Sequence, residues 1–366
     1  MSEQVSTETV KVIDRLTITF LVDNCIEWMS KLPAGFTHEL PQHLQQGLPI
    51  DTTKGVPVLN FDNFCCGAHG FAALIETYVD GEETSQLTLF DTGPDSLSLV
   101  RNVSAMEVPI HKIGHVITSH WHSDHTGGLL SFLDLRSTVV PAAKPCIVDV
   151  HPDRPLSRGI APGPGYDKVI CALPLDPTFE LIEKAGGVVE KHAKGHAIAD
   201  GTVWVSGEIP RVTDFEAGML GGMRWVEEGS IGRWTGEQHI MDERYAAIDV
   251  AGKGLVIFSA CSHAGIVNVV KDAVTTFSRP IYMIIGGLHL AGPEFGPRIP
   301  PTVEFLSKRL IPSPTYILPM HCSGFQSKIA LEREFGDGCV PAGVGHKIEI
   351  LGDREHDKRL FPPSYL

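Results

Sequence analysis

The sequence predicts an α/β protein, and three observations carry that prediction. Apolar runs of strand length recur along the chain, and most end in polar residues or glycine. Strand and helix signals alternate from 241 to 352, the pattern of a layered α/β fold. One apolar run, Val116-Ile117-Thr118, leads straight into the dense group His120-Trp121-His122-Ser123-Asp124-His125.

The runs come in order as follows. Leu16 to Val22 ends at Asp23-Asn24, and Phe71 to Glu76 follows His69-Gly70. Leu87 to Phe90 ends at Asp91-Thr92-Gly93. Between the first two, about 30–62, lies a segment rich in Pro, Gly and Gln that reads as an irregular surface insertion. Leu129 to Leu135 should continue as a helix after Gly127-Gly128. Residues 141–177 then hold eight prolines, poor material for regular structure and good material for a shaped loop. Strand-like patterning returns from 178 to 240, as in Gly201 to Val205. No linker and no fixed-period repeat is visible. The chain reads as a single domain over 1–366 with a larger insertion at about 140–240.

Bulk properties narrow the function. The 366 residues are 43% hydrophobic and 20% charged, which describes a globule with a sizeable core. The formal net charge of −14 argues against a nucleic-acid partner, since phosphate binding needs clustered Lys and Arg. No apolar stretch reaches the roughly 18 residues that a membrane span needs. Met1 to Arg15 carries no apolar leader core. The eight cysteines are expected as free thiols, and the protein as cytoplasmic. A small-molecule substrate is expected, with no membrane partner; a homo-oligomer is compatible with the sequence.

The hexapeptide is the strongest chemical signal. Spacings of i, i+2, i+4 and i+5 do not share one helix face. They suit a strand end turning into a helix, with the side chains bent toward one point. Imidazole and carboxylate ligands suit Zn, Fe or Mn. Three more strand-like runs end in histidine. Gly254 to Ala260 leads to Cys261-Ser262-His263, Ile281 to Gly287 leads to Leu288-His289, and Tyr316 to Met320 leads to His321-Cys322. Adjacent strands would gather these ligands at one sheet edge, and small neighbours such as Gly286 and Gly287 permit close approach. A lone histidine is more often core or surface, so His289 stays open between ligand and packing.

The HxHxDH pattern of 120–125 resembles the signature of the metallo-beta-lactamase superfamily. That resemblance implies an αββα sandwich of two mixed sheets with outer helices, and a one- or two-metal site at one sheet edge. The leading assignment gives His120, His122 and His263 to one ion, and Asp124, His125 and His321 to the other, with His321 in the superfamily's last ligand place and His263 a departure from its usual middle. The ions would be Zn, with Fe or Mn as alternatives. Cys261 occupies the place of the usual bridging Asp, where a thiolate would favour Zn or Fe and a buried packing role is equally open. His239 and Asp242 lie where an earlier ligand would fall.

A closer likeness covers roughly 16–29, 66–134 and 203–350. It rests on Val22-Asp23-Asn24 with Glu27, His69-Gly70-Phe71, Leu74-Ile75-Glu76, Leu89-Phe90-Asp91-Thr92-Gly93-Pro94 and Gly207-Glu208-Ile209-Pro210-Arg211. It continues in Cys261 to Asn268, Ile285 to Leu290 and His321-Cys322-Ser323-Gly324-Phe325. These stretches resemble the 7,8-dihydropterin-6-methyl-4-(ribofuranosyl)aminobenzene-5′-phosphate synthases. The likeness implies that Asp23, Asn24, Glu27 and His69 lie near the pocket. From the residues alone, Asp23-Asn24 equally fits a turn. Asp91 reads as structural, holding the following turn or orienting a ligand histidine. Arg211 reads as a clamp for a phosphate or carboxylate, or as a surface ion pair. The insertions at 30–62 and 140–200, and Gly67-Ala68 before His69, depart from the pattern where substrate loops are expected.

The leading functional expectation is metal-assisted hydrolysis of an amide, lactam, lactone or phosphoester bond by metal-activated water, with Asp124 and His69 as catalytic groups. The alternatives are a dihydropterin-linked synthase, iron-dependent oxygen chemistry, and a non-catalytic binding protein on the same fold.

Overall fold

A computed structural model describes residues 10–139 and 144–365. The expectations for Met1 to Thr9, for Pro141 and for Leu366 lie outside the described residues.

Two mixed sheets are built from the predicted runs. The eight-stranded sheet runs in the order Gly187–Lys191, Cys146–Val150, Ile113–Ile117, Gln86–Phe90, Ala72–Tyr78, Arg15–Val22, Lys347–Leu351, Phe36–Thr37. Its first four strands pair in parallel and the rest antiparallel. The seven-stranded sheet runs His196–Ile198, Val203–Val205, Ala246–Val250, Gly254–Ser259, Ile281–Gly286, Tyr316–Pro319, with Val12–Ile13 also against Ala246–Val250. Its last three strands are parallel.

Period-two patterning decides which face each side chain takes. Leu16, Ile18 and Phe20 from one sheet meet Val256, Phe258, Met283 and Ile285 from the other in a shared buried cluster. Leu255, Ile257 and Ile284 point the opposite way, onto helix Ile266–Phe277. Leu87, Leu89 and Val116 do the same against helices Ser98–Ala105 and Leu129–Val139. The result is helix, sheet, sheet, helix, as the sequence implied.

The segment expected as one insertion at 140–240 is divided. Cys146–Val150 and Gly187–Lys191 belong to the eight-stranded sheet, and His196–Ile198 and Val203–Val205 to the seven-stranded one. The excursion proper is a separate four-stranded sheet of Arg158–Ile160, Cys171–Ala172, Gly222–Glu228 and Ile231–Gly236. Proline density masked the short strands between the loops. The 30–62 segment is also less irregular than expected. It carries edge strand Phe36–Thr37, helix Glu39–Gln46 and the short hairpin Ile50–Asp51 with Val56–Pro57.

The parallel strands direct their carboxyl ends to one rim. Past Ile117 the chain turns through the His motif into Leu129–Val139, and its two glycines have no room for a side chain. A Cβ built on Gly127 would fall 2.0 Å from Pro94 O, and one on Gly128 would fall 2.1 Å from Thr92 O. Phe258 is fully buried at the middle of the inter-sheet core. Phe258→Ala should lower unfolding stability by about 3–5 kcal/mol, read as a drop in the denaturant midpoint at unchanged slope.

Candidate metal centre

Four loops at the carboxyl ends of strands supply the cluster. His120 and His122 follow strand Ile113–Ile117, and Asp124 and His125 sit on the first turn beyond it, Ser123–Thr126. Cys261 and His263 follow Gly254–Ser259, His289 follows Ile281–Gly286, and His321 follows Tyr316–Pro319. Asp91, Ser262, His289 and His321 hold positive φ values of 59°, 59°, 46° and 42°. Left-handed backbone in such residues costs energy, and its concentration at one rim is typical of functional sites.

Three ring nitrogens face one another. His120 Nε2 lies 3.0 Å from His122 Nδ1, and His263 Nε2 lies 3.2 Å from each of them. Tetrahedral zinc with ligands at about 2.0–2.1 Å separates them by about 3.3 Å, so this triangle is close to a ready-made face. Burial, then the neighbouring histidines, holds His120 well below the usual imidazole range. Burial, then the Arg158 guanidinium, lowers His122 to about 3. The rings are therefore neutral, the form that ligates.

The second group is Asp124, His125 and His321. Asp124 Oδ2 lies 3.5 Å from His125 Nε2 and 3.2 Å from His321 Nε2. Burial alone would raise the Asp124 carboxyl, but His125 and His321 outweigh it and hold it well below the usual range. Cys261 Sγ is 3.1 Å from His125 Nε2. The same sulfur is within ligand-sharing distance of both groups, His120 with His263 and Asp124 with His125 and His321. Cys261 thus stands between them.

Hydrogen bonds fix which nitrogen faces inward. Ser119 Oγ donates to Asp91 Oδ2 (2.7 Å) and so accepts from His120 Nδ1 (2.9 Å). His125 Nδ1 donates to Asp91 Oδ2 (2.8 Å), and His321 Nδ1 donates to Asn24 Oδ1 (3.0 Å). A neutral ring whose Nδ1 carries the proton presents a lone pair at Nε2. Burial alone would lower the His125 imidazole, but Asp124 and Asp91 outweigh it and hold it well above the usual range, so a cation, proton or metal, belongs between His125 and Asp124. The donor set fits one or two metal ions.

A family model of the metallo-beta-lactamase superfamily matches residues 72–212. A Methanocaldococcus jannaschii protein named 7,8-dihydropterin-6-methyl-4-(beta-D-ribofuranosyl)-aminobenzene-5′-phosphate synthase is 30% identical over 286 residues, 77% of this chain and 90% of the relative. The chain belongs to the metallo-beta-lactamase superfamily. An uncharacterized protein of the same organism is 28% identical over 270 residues, 72% of this chain and 88% of its own length. The solved structure of a metal-dependent hydrolase of the beta-lactamase superfamily matches the fold at TM-score 0.61, covering 92% of this chain and 99% of that one at 18% identity.

Other superfamily expectations fall in different places. His69 sits at the rim, 71% exposed, with Nε2 3.8 Å from Asp124 Oδ2 and Nδ1 3.1 Å from Asn24 Nδ2. Asn24 therefore joins His69 to His321. Asp23 is buried and accepts the His321 amide (2.8 Å), so it positions that ligand. His289 packs its ring 4.4 Å from His263 and shares the Cys261–Cys322 corner. Glu27 is not brought to the cluster: its Oε1 accepts the Met29 and Ser30 amides at 2.6 and 2.9 Å and closes a turn. Arg211 is half-buried, with Nη1 3.4 Å from Ile209 O and no carboxylate within ion-pair reach among the described residues. His239 is exposed.

Asp242, named as a possible ligand, has another placement. Its Oδ2 accepts the Trp121 amide (2.7 Å), and Arg158 donates to both its oxygens. The next two residues act alike, and nothing in the sequence pointed to them. Glu243 accepts the His263 and Ala264 amides, each at 2.7 Å, while burial pushes its carboxyl up to about 7. Arg244 donates to Thr118 O (2.6 Å) and Asp149 Oδ1 (2.5 Å). All three consecutive charges before strand Ala246–Val250 are buried.

Two outcomes follow from this geometry. Glu243→Ala leaves two buried amides unpaired beside a ligand and should weaken metal binding by about 10–100-fold, measured by competition with a chelator. In the cobalt-substituted protein, Cys261→Ser should remove the near-ultraviolet sulfur-to-cobalt absorption that the parent protein displays. No such band in the parent would refute a sulfur ligand.

Proposed function

We propose that the protein is a metal-dependent hydrolase of a small molecule, acting on an amide, lactam, lactone or phosphoester bond. The observation that carries this reading is the pair of adjoining ligand groups with Cys261 between them. His120, His122 and His263 would hold one ion, and Asp124, His125 and His321 the other. Zinc is the ion favoured by an imidazole, carboxylate and thiolate set, with iron or manganese as alternatives. Bound there, it would polarise the scissile group and activate water.

The chain's own residues supply orientation and proton handling. Asp91 and Ser119 lock His125 and His120, and Asn24 locks His321. Asp124 is held as an anion, so it accepts hydrogen bonds or metal and does not deliver a proton. His69, exposed at the rim near Asp124, is the side chain placed to carry a proton to a leaving group. The substrate is taken to be a small molecule rather than nucleic acid, consistent with the net charge of −14. A cytoplasmic location is proposed with it. Among the described residues no helix is long and apolar enough to cross a membrane, and all eight cysteines are free.

The 30% identity to the named synthase favours a second reading, condensation of two substrates at the same metal centre. The combined Asp124→Ala and His125→Ala variant should lose all metal-dependent turnover of whichever lactone, lactam or phosphodiester the parent cleaves. Undiminished turnover would sink the ligand assignment. Product formation only when a dihydropterin and a ribosylated aminobenzene phosphate are both supplied would replace hydrolysis with condensation.

A further inference from the structure

A second cluster of ligand-type side chains lies away from the catalytic one, where the chain passes from one sheet to the other. Gly187–Lys191 is the edge strand of the eight-stranded sheet, and His196–Ile198 is the edge strand of the seven-stranded sheet. His192 follows the first and His196 opens the second. Both rings turn to Asp149, on the neighbouring strand Cys146–Val150. His192 Nδ1 lies 2.8 Å, and His196 Nε2 lies 2.7 Å, from the same carboxylate oxygen, Oδ2. The Asp149 side chain is fully buried, while those of His196 and His192 are 14% and 35% exposed.

The proton count at this cluster leaves one contact that either a proton or a metal ion must fill. His196 Nδ1 lies 3.1 Å from Lys194 O. A backbone carbonyl only accepts, so Nδ1 carries the hydrogen. A neutral His196 then presents a lone pair at Nε2, facing a carboxylate oxygen at hydrogen-bond distance. That contact repels unless a proton or a metal ion lies within it. The two rings stack with centroids 3.8 Å apart. A histidine that donates one nitrogen to a backbone carbonyl and turns the other to a carboxylate has the arrangement of a metal ligand with its tautomer fixed. Arg244 holds the other Asp149 oxygen (2.5 Å), which orients the carboxylate and leaves Oδ2 to the histidines.

We propose that Asp149, His192 and His196 bind a zinc-class divalent ion at a site outside the catalytic cluster, where it pins the crossover between the two sheets. Three protein ligands leave a coordination position open to water on the exposed side. The role is structural, since the ion would join the edges of both sheets across a four-residue step. It is independent of the reaction at the other centre.

The test compares the whole protein with His192→Ala, whose ring makes no hydrogen bond other than that to Asp149. After chelation and dialysis against micromolar zinc alone, the parent should hold one more equivalent per chain than the variant. Zinc binding at this site should weaken at least about 100-fold in the variant. The catalytic equivalents, and any turnover, should be equal in both. Added zinc should raise Tm further in the parent than in His192→Ala. Crystals of the parent grown with zinc should give an anomalous peak between His192 Nδ1 and His196 Nε2. Equal stoichiometry in a folded variant, saturation only at millimolar zinc, or a His196 ring that NMR shows doubly protonated and unmoved by zinc would overturn the proposal.

Discussion

The structure depends on turning imidazole lone pairs inward and keeping them there. Asp91 takes the Nδ1 proton of His125 directly and that of His120 through Ser119, while Asn24 takes that of His321. A buried lone pair without a partner is costly. The fold accepts several of them in one small space, and the cost is offset only when a cation completes the set. Strained backbone at Asp91, Ser262, His289 and His321 belongs to the same arrangement. The large inter-sheet core, from Ile18 to Met283, provides the stability against which that strain is held.

Much of this was legible because it is local in sequence. The strands Arg15–Val22, Gly254–Ser259 and Ile281–Gly286 announce themselves by apolar length, and HxHxDH by spacing. Their histidines could be placed at strand ends before any contact was known. Cys261 was visible as the residue standing where a bridging carboxylate belongs, but its position between two ligand groups depends on how four loops converge.

The remainder was illegible because it consists of pairings between side chain and distant backbone. Asp242 looked like a ligand since it falls where an earlier ligand histidine was expected. Its oxygens instead meet an amide and a guanidinium that only the tertiary fold brings near. Glu243 and Arg158 gave no periodic signal at all, and Arg158 lies in the Pro-rich stretch that read as loop. That stretch in turn hid one strand of the main sheet, Cys146–Val150, and two of the small sheet, because short strands carry little hydrophobic run of their own.

Asp242, Glu243 and Arg244 have a kinetic consequence. Three consecutive side chains grip the backbone of the His120–His122 loop, of the His263 loop and of the strand end at Thr118, which between them come from both sheets. Opening the rim by parting the sheets would break the grips on Trp121 and Thr118 together, while Glu243 keeps His263, which belongs to its own sheet. Ions should therefore enter and leave through side-chain movement at the exposed mouth near His69, with the pocket keeping its shape between occupants. Exchange of one metal for another then becomes a matter of ligand lability rather than of partial unfolding.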